Sequence, residues 1–186
     1  MTIQENKPIM LTRDVDAIHI PYGTPITLKK DSMVFVTQSL GGNYTVNING
    51  NLAQIGSRDA DALGFETAAR EISLDEATLE DGSLNDEIIW QELRTCYDPE
   101  IPYNVVDLGL IYDCRITPLD SGANRIDIVM TLTAPGCGMG DFLAADVRSK
   151  ILAIPGVEEV NVEISFDPPW NQEMMSDEVR LELGMF

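Results

Sequence analysis

Apolar and polar positions alternate with a period of two through the first third of the chain, predicting strands over Val15 to Ile20, Ile26 to Leu28 and Met33 to Gln38. A clearer pair follows. Tyr44, Val46 and Ile48 alternate with Thr45 and Asn47, then Asn49-Gly50 supplies the two positive-φ residues of a type I′ turn before Leu52 to Ile55 returns antiparallel. Five short strands between residues 14 and 64 predict a small β-barrel or sandwich that closes its own edges. Residues 66–83 are acidic and weakly patterned, which fits a solvated connector or a short surface helix.

The period then changes. Ser83 and Asp86 form a capping-box pattern, and Leu84, Ile88, Ile89, Leu93 and Cys96 recur at helical spacing, predicting a helix from 84 to 96 that Pro99 and Pro102 end. A strand over 107–116 is expected to put Leu108, Leu110, Tyr112, Cys114 and Ile116 on one face, with Gly109, Asp113 and Arg115 on the other. After a turn at Ser121-Gly122, Ile126, Ile128, Met130 and Leu132 alternate with Asp127, Val129, Thr131 and Thr133. Leu143, Val147, Ile151 and Ile154 mark a further helix, stopped by Pro155-Gly156, and a last strand is expected to bury Val160, Val162, Ile164 and Phe166. The predicted fold class is α+β: a small β-barrel-like domain (1–65), an acidic linker (66–83) and an α-β-β-α-β domain (84–186) whose three-stranded sheet is covered by two helices.

Composition narrows the function classes. A hydrophobic content of 44% in 186 residues supports a core in each half. With 31 acids against 12 bases and a net charge of −19, no basic stripe exists to release counterions from phosphates, so neither nucleic acid nor an anionic membrane is an expected partner. No stretch reaches the ~20 apolar residues of a membrane span, and residues 1–14 lack a signal-peptide core, so the expected compartment is the cytoplasm. Three cysteines without a CxxC make neither a disulfide framework nor a closed four-cysteine metal site.

Cys137 is the chemical focus. It lies in Thr133-Ala-Pro-Gly-Cys-Gly-Met-Gly-Asp141, between a strand and a helix start, where unpaired N–H groups and the helix dipole favour a thiolate. The glycines at 136, 138 and 140 let the backbone approach a bulky ligand. The alternative is a small cysteine buried in a tight turn. Cys114 shares a strand face with Leu110 and Tyr112 and is read as core; Cys96 falls on the apolar stripe of its helix and is read as structural. His19, the single histidine, sits on a strand of the β half, far in sequence from Cys137. The string from Asp98 to Pro102 and the string from Asp167 to Trp170 read alone as a helix terminator and a strand end. Thr131 and Thr133 read alone as outward-facing strand residues. The glycines at 136–140 lack the spacing and lysine of a phosphate loop. The stretch from Met174 to Leu183 is amphipathic and expected to pack on the body.

Together, Asp98-Pro-Glu-Ile-Pro102, Asn104-Val-Val-Asp-Leu-Gly-Leu-Ile-Tyr112, Met130-Thr-Leu-Thr-Ala-Pro-Gly-Cys-Gly-Met139 and Asp167-Pro-Pro-Trp170 resemble the SufT branch of the metal-sulfur cluster biosynthesis family, which includes PaaD-like proteins. Gln38 to Val46 and Asp59 to Gly64 resemble the N-terminal domain of SufT proteins. The resemblance implies a non-enzymatic accessory factor for iron-sulfur cluster assembly or client maturation, partnered by carrier and client proteins. It also implies a reactive cysteine at Cys137, with Asp98, Glu100, Thr133 and Trp170 as neighbouring family residues. Many relatives carry proline after the cysteine where this chain has Gly138. One thiolate cannot supply the four ligands a cluster usually takes, so Cys137 would act as a transient cluster or iron ligand, assisted by Asp98 and Glu100, by small thiols, or by the Cys137 of a homodimer partner. Two other readings stay open: an adaptor that recruits clients and carriers, and an enzyme using Cys137 as nucleophile.

Overall fold

The computed structural model describes residues 7–67, 71–98, 101–135 and 140–185. The chain divides into two compact units, residues 1–70 and 71–186. The first carries β1 (Pro8–Met10), β2 (Val15–Ile20), β3 (Thr24–Leu28), β4 (Met33–Leu40), β5 (Asn43–Ile48) and β6 (Asn51–Ile55), then a 3-10 helix over Ser57–Leu63. Its strands form one antiparallel six-stranded sheet in the order β1-β4-β5-β6-β2-β3. Among the described residues no pairing joins the outer strands β1 and β3, so the sheet does not close into the expected barrel. Asn49 (φ 50°) and Gly50 (φ 85°) make the tight β5–β6 turn, as two positive-φ residues in a row require. Val34, Val36, Val46, Ala53 and Ile55 are buried to 1% exposure or less, because alternation turns them all to one face. Asn43, at the start of β5, is also buried, its Oδ1 accepting from the Ser57 N–H at 3.2 Å and so seating the 3-10 helix. Arg13 ties the end of that helix to the chain before β2 through Asp59 (2.8 Å) and Asp61 (2.6 Å).

The second unit is structured from residue 71, within the stretch read as a connector. Ser73 caps α1 (Leu74–Ala77), and Glu76 completes a capping box. Ala77 is wholly buried, and Thr78 bridges to Leu84, so this segment belongs to the second core. Helix α2 (Asp86–Leu93) follows; its cap is Asn85, whose side chain accepts from the Glu87 N–H, whereas Ser83 bonds to Asp81 instead. Strands β7 (Ile111–Pro118), β8 (Asn124–Met130) and β9 (Val157–Ile164) form a sheet in that order, with helix α3 (Gly140–Leu152) crossing from β8 to β9. β7 and β8 run antiparallel, β8 and β9 parallel. Leu143, Val147, Ile151 and Ile154 are buried against Ile126, Ile128 and Met130, as the helical spacing requires.

Two expectations about strands change. The strand expected over 107–116 begins only at Ile111, because Gly109 is in the left-handed region (φ 71°) and breaks the extended run. A bulge between Ile111 and Asp113 then shifts the register, leaving Cys114 half-buried. Phe166, expected in the core, lies beyond β9 and is 44% exposed. After β9 a 3-10 turn (Gln172–Met174) and α4 (Asp177–Glu182) bring Met175 and Val179 into the same core. β9 is an outer strand, and Glu158, Glu159 and Glu163 are set along it.

Candidate functional site

The segments flanking Cys137 are held from both sides. Upstream, β8 ends at Met130, and the next residue, Thr131, donates its backbone N–H to the Leu110 carbonyl at 2.8 Å. Ser165 donates its N–H to the Met130 carbonyl at 2.8 Å, so the sheet remains paired to the point where the loop departs. Downstream, α3 starts at Gly140, where an added Cβ would fall 2.8 Å from Leu132 Cδ1. A side chain at this position would displace the end of the Leu132 side chain, so the helix begins close against the strand's continuation. The amino-terminal end of a 13-residue helix, positive by its dipole, therefore starts three positions after Cys137. Cys137 itself, with Gly136, Gly138 and Met139, lies outside the described residues, as does Glu100.

The other candidate residues have defined surroundings. Asp98 is 4% exposed, and its Oδ1 accepts from the Ile101 N–H at 3.0 Å. Its own N–H donates to the Tyr103 carbonyl at 3.1 Å, and Tyr97 bridges to Asn104 beside it. Thr133 is half-buried in the descent toward the loop. Trp170 is half-buried against the core, and its indole N–H donates to the Leu108 carbonyl at 2.7 Å. Its polar end is thus engaged in anchoring the C-terminal segment, the core-capping role that the prolines before it allow.

Three features escaped the sequence reading. Thr131, taken for an outward strand residue, is fully buried, and its hydroxyl has no partner among the described residues. Gly109 lies under the C-terminal segment, and a Cβ there would fall 2.1 Å from the Met174 carbonyl oxygen. Tyr112 Oη donates to the Pro168 carbonyl and the Ser176 N–H to the Asp107 carbonyl, both at 2.7 Å, fastening the same segment along residues 107–112. Third, Lys150 on α3 donates to the Thr95 carbonyl at 2.6 Å and approaches Asp146 to 3.5 Å with both side chains largely buried. The lysine thereby occupies a free carbonyl past the end of α2 and fixes α3 to the stretch leading into Asp98. A Lys four residues after an Asp was the available signal, but only the fold shows what it bridges.

The remaining thiols are unsuited to metal or electrophile. Cys96 is wholly buried, and loss of solvent, reinforced by the charge of Asp146, drives its thiol well above the ordinary range. Burial, with Asp113 and Asp86 adding repulsion, pushes the Cys114 thiol up to about 11. Both stay protonated at neutral pH. Among the described residues no group of three or more His, Cys, Asp or Glu side chains is placed to hold a metal ion. Among them, also, no helix is long and apolar enough to cross a membrane. His19 is in the first unit, opposite Ala53 in the sheet and with its ring 5.1 Å from that of Tyr22.

Residues 86–164, which run from α2 through β9, match the family described as "Iron-sulfur cluster assembly protein". A protein of Porphyromonas gingivalis named "Fe-S protein maturation auxiliary factor" is 50% identical over 100 residues, covering 53% of this chain and 90% of its own length. The chain belongs to the iron-sulfur cluster assembly family. Two further members are similar: "Fe-S protein maturation auxiliary factor SufT" of Staphylococcus aureus, 36% identical over 47% of this chain and 96% of its own, and "Fe-S protein maturation auxiliary factor YitW" of Bacillus subtilis, 32% identical over 53% and 93%. The SufT-type resemblance of the sequence is thereby sustained. The family match lies wholly in the second unit and takes in Asp98, Glu100, Thr133 and Cys137, while Trp170 falls beyond it.

Proposed function

We propose that the chain is an accessory factor in the assembly of iron-sulfur clusters or the maturation of client iron-sulfur proteins, working in the cytoplasm with Cys137 as a transient ligand for a cluster or for iron. The observation that carries this reading is the 50% identity to a named maturation factor across nearly all of that relative. The start of α3 three positions after Cys137 supports its chemistry, because the helix end stabilises a thiolate and the neighbouring strand and helix are rigidly seated. The other two thiols are held protonated, which leaves Cys137 as the soft donor.

A cluster here is cargo. One thiolate holds it loosely, with the remaining positions filled by Asp98 and Glu100, by small thiols or by the Cys137 of a second chain, and a loosely held cluster is readily passed to a carrier or client. Thr133 and Trp170 complete the family residues of this site. An enzyme reading is less favoured, since the second unit contains no histidine to act as base for a cysteine nucleophile.

Anaerobic reconstitution of wild type and Cys137→Ala with iron and sulfide tests the ligand role. Visible charge-transfer bands are expected in wild type and absent from the variant; identical spectra for the two proteins would remove it. In cells carrying only Cys137→Ala, the activities of several iron-sulfur enzymes should fall at normal protein level. Wild-type activities across the panel would shift the function to the adaptor reading.

A further inference from the structure

Strand β9 leaves one backbone edge of the second unit's sheet open. It lies outermost in the order β7-β8-β9 and, among the described residues, pairs with β8 alone. Ser165 donates its N–H to the Met130 carbonyl, and in a parallel ladder alternate residues address the same neighbour. Glu163, Asn161 and Glu159 therefore turn their N–H and C=O groups to β8, and Val160, Val162 and Ile164 turn theirs away from it. Among the described residues no hydrogen bond from outside the sheet reaches those outward groups. The register is unbroken from Glu159 to Ile164, its one shift lying at Glu158. The opposite border is blunted in the usual way: β7 has a bulge between Ile111 and Asp113 and ends in Pro118. The six residues from Glu159 to Ile164 have neither device.

The two faces of this border differ, and together they select an occupant. Val160 is buried, while Val162 and Ile164 pack against the core yet stay half-buried, so the apolar face of the sheet runs out here. On the other face Asn161 donates to Asp127 at 2.8 Å, whereas Glu159 and Glu163 are exposed and meet no cation among the described residues. At about 3.3 Å per residue, these two positions stand roughly 13 Å apart along the strand. An added strand would pair with the outward N–H and C=O groups and lay alternate side chains along Val160, Val162 and Ile164. Its remaining side chains would stand beside Glu159 and Glu163. An acidic strand is repelled there, a second β9 included, and a neutral one gains nothing from the two carboxylates. Lys or Arg residues four positions apart meet both. With 24 acids and 6 bases in residues 71–186, the unit also draws a basic partner from a distance.

We propose that β9 is a docking edge for an extended segment of a partner protein, with basic residues at its first and fifth positions and apolar residues at its second and fourth. The segment joins the sheet as a fourth strand, its basic side chains on Glu159 and Glu163. That a carrier or client supplies the segment rests on the proposed function, whereas the docking does not.

Amide NMR spectra of the isotope-labelled, metal-free full chain, titrated with the blocked synthetic peptide Thr-Lys-Val-Thr-Val-Lys-Thr, test it. Saturable shifts are expected at Val160, Val162 and Ile164, with slowed hydrogen exchange of the same amides. Glu159→Lys combined with Glu163→Lys should weaken binding at least about tenfold, since two favourable cross-strand pairs become repulsive. Two altered peptides leave the protein untouched: one with glutamates in place of the lysines, and one N-methylated at every peptide bond, which cannot donate to a ladder. Neither should bind. Absence of binding up to the millimolar range, shifts centred elsewhere, undiminished binding by the double variant, or equal binding of either altered peptide would overturn the proposal. Protection of these amides that grows with protein concentration in the absence of peptide would also overturn it, by assigning the edge to a second copy. None of these measurements uses iron or Cys137, so a negative result leaves the reconstitution test standing, and failure of that test leaves the docking edge standing.

Discussion

The two units solve the problem of a charged surface in opposite ways. In the first, acids and bases nearly balance and join in short pairs, Arg13 with Asp59 and Asp61 and Lys29 with Asp14. In the second, 6 bases face 24 acids. Arg125 with Asp127 and Lys150 with Asp146 account for some, but most carboxylates there have no cation to meet. The second unit is therefore folded against its own repulsion, and its cohesion comes from the core shared by α2, α3, the sheet and the C-terminal segment. The first has no such repulsion to overcome. Family membership follows the same division, since the matched residues lie in the acidic unit.

The contrast can be broken most forcefully at Gly109. Gly109→Ala should cost the second unit about 3 kcal/mol or more, because a Cβ cannot coexist with the Met174 carbonyl and the backbone is left-handed. Hydrogen exchange in β8 should accelerate while that in β5 and β6 does not. Lys150→Met should cost about 2 kcal/mol in urea unfolding, because the buried Asp146 loses the lysine that meets it and the Thr95 carbonyl loses its donor. Trp170→Phe should cost about 1 kcal/mol, since the Leu108 carbonyl loses its donor. Raising salt should stabilise β8 and β9 measurably more than β5 and β6, by screening the excess of carboxylates. The smallest effect has the opposite sign: Thr131→Val should be neutral or stabilising by up to about 1 kcal/mol, because it removes a buried hydroxyl without a partner.

Alkaline titration sharpens the same comparison. Cys114, raised to about 11 in the folded protein from 9.0, stays protonated when the unfolded chain ionises. Its contribution is complete below pH 9 and lost as pH climbs toward 11, so the second unit's urea midpoint should fall across that window. Cys114→Ser should flatten the fall. The first unit contains no cysteine and has no such thiol dependence.

Much of the second unit was legible because its signals are local and periodic. The spacing of Leu143, Val147, Ile151 and Ile154 states a helix face without knowledge of its neighbours, and Ile126, Ile128 and Met130 do the same for a strand. What failed depended on partners distant in sequence. Gly109 reads as a strand residue until the carbonyl of Met174 arrives beside it, and Thr131 reads as solvated until the surrounding chain covers it. Sheet closure in the first unit is likewise a property of two outer strands, β1 and β3, that no local pattern compares. The family was legible as a set of four motifs in order, and those motifs also named Asp98, Thr133 and Trp170 as candidates whose surroundings only the fold gives. That Trp170 would spend its N–H on Leu108 was visible only in three dimensions.

The outer strand β9 makes the acidity of this chain more than a matter of solubility. Glu158, Glu159 and Glu163 stud an edge that has no strand beyond it among the described residues, where another copy of the chain could otherwise add itself to the sheet. Two such borders approaching one another carry like charges, so the molecule defends itself from fibril-like growth. Exchanging the three for glutamine disarms that guard, and turbidity of the triple variant should reveal how much of the protein's good behaviour in solution depends on them.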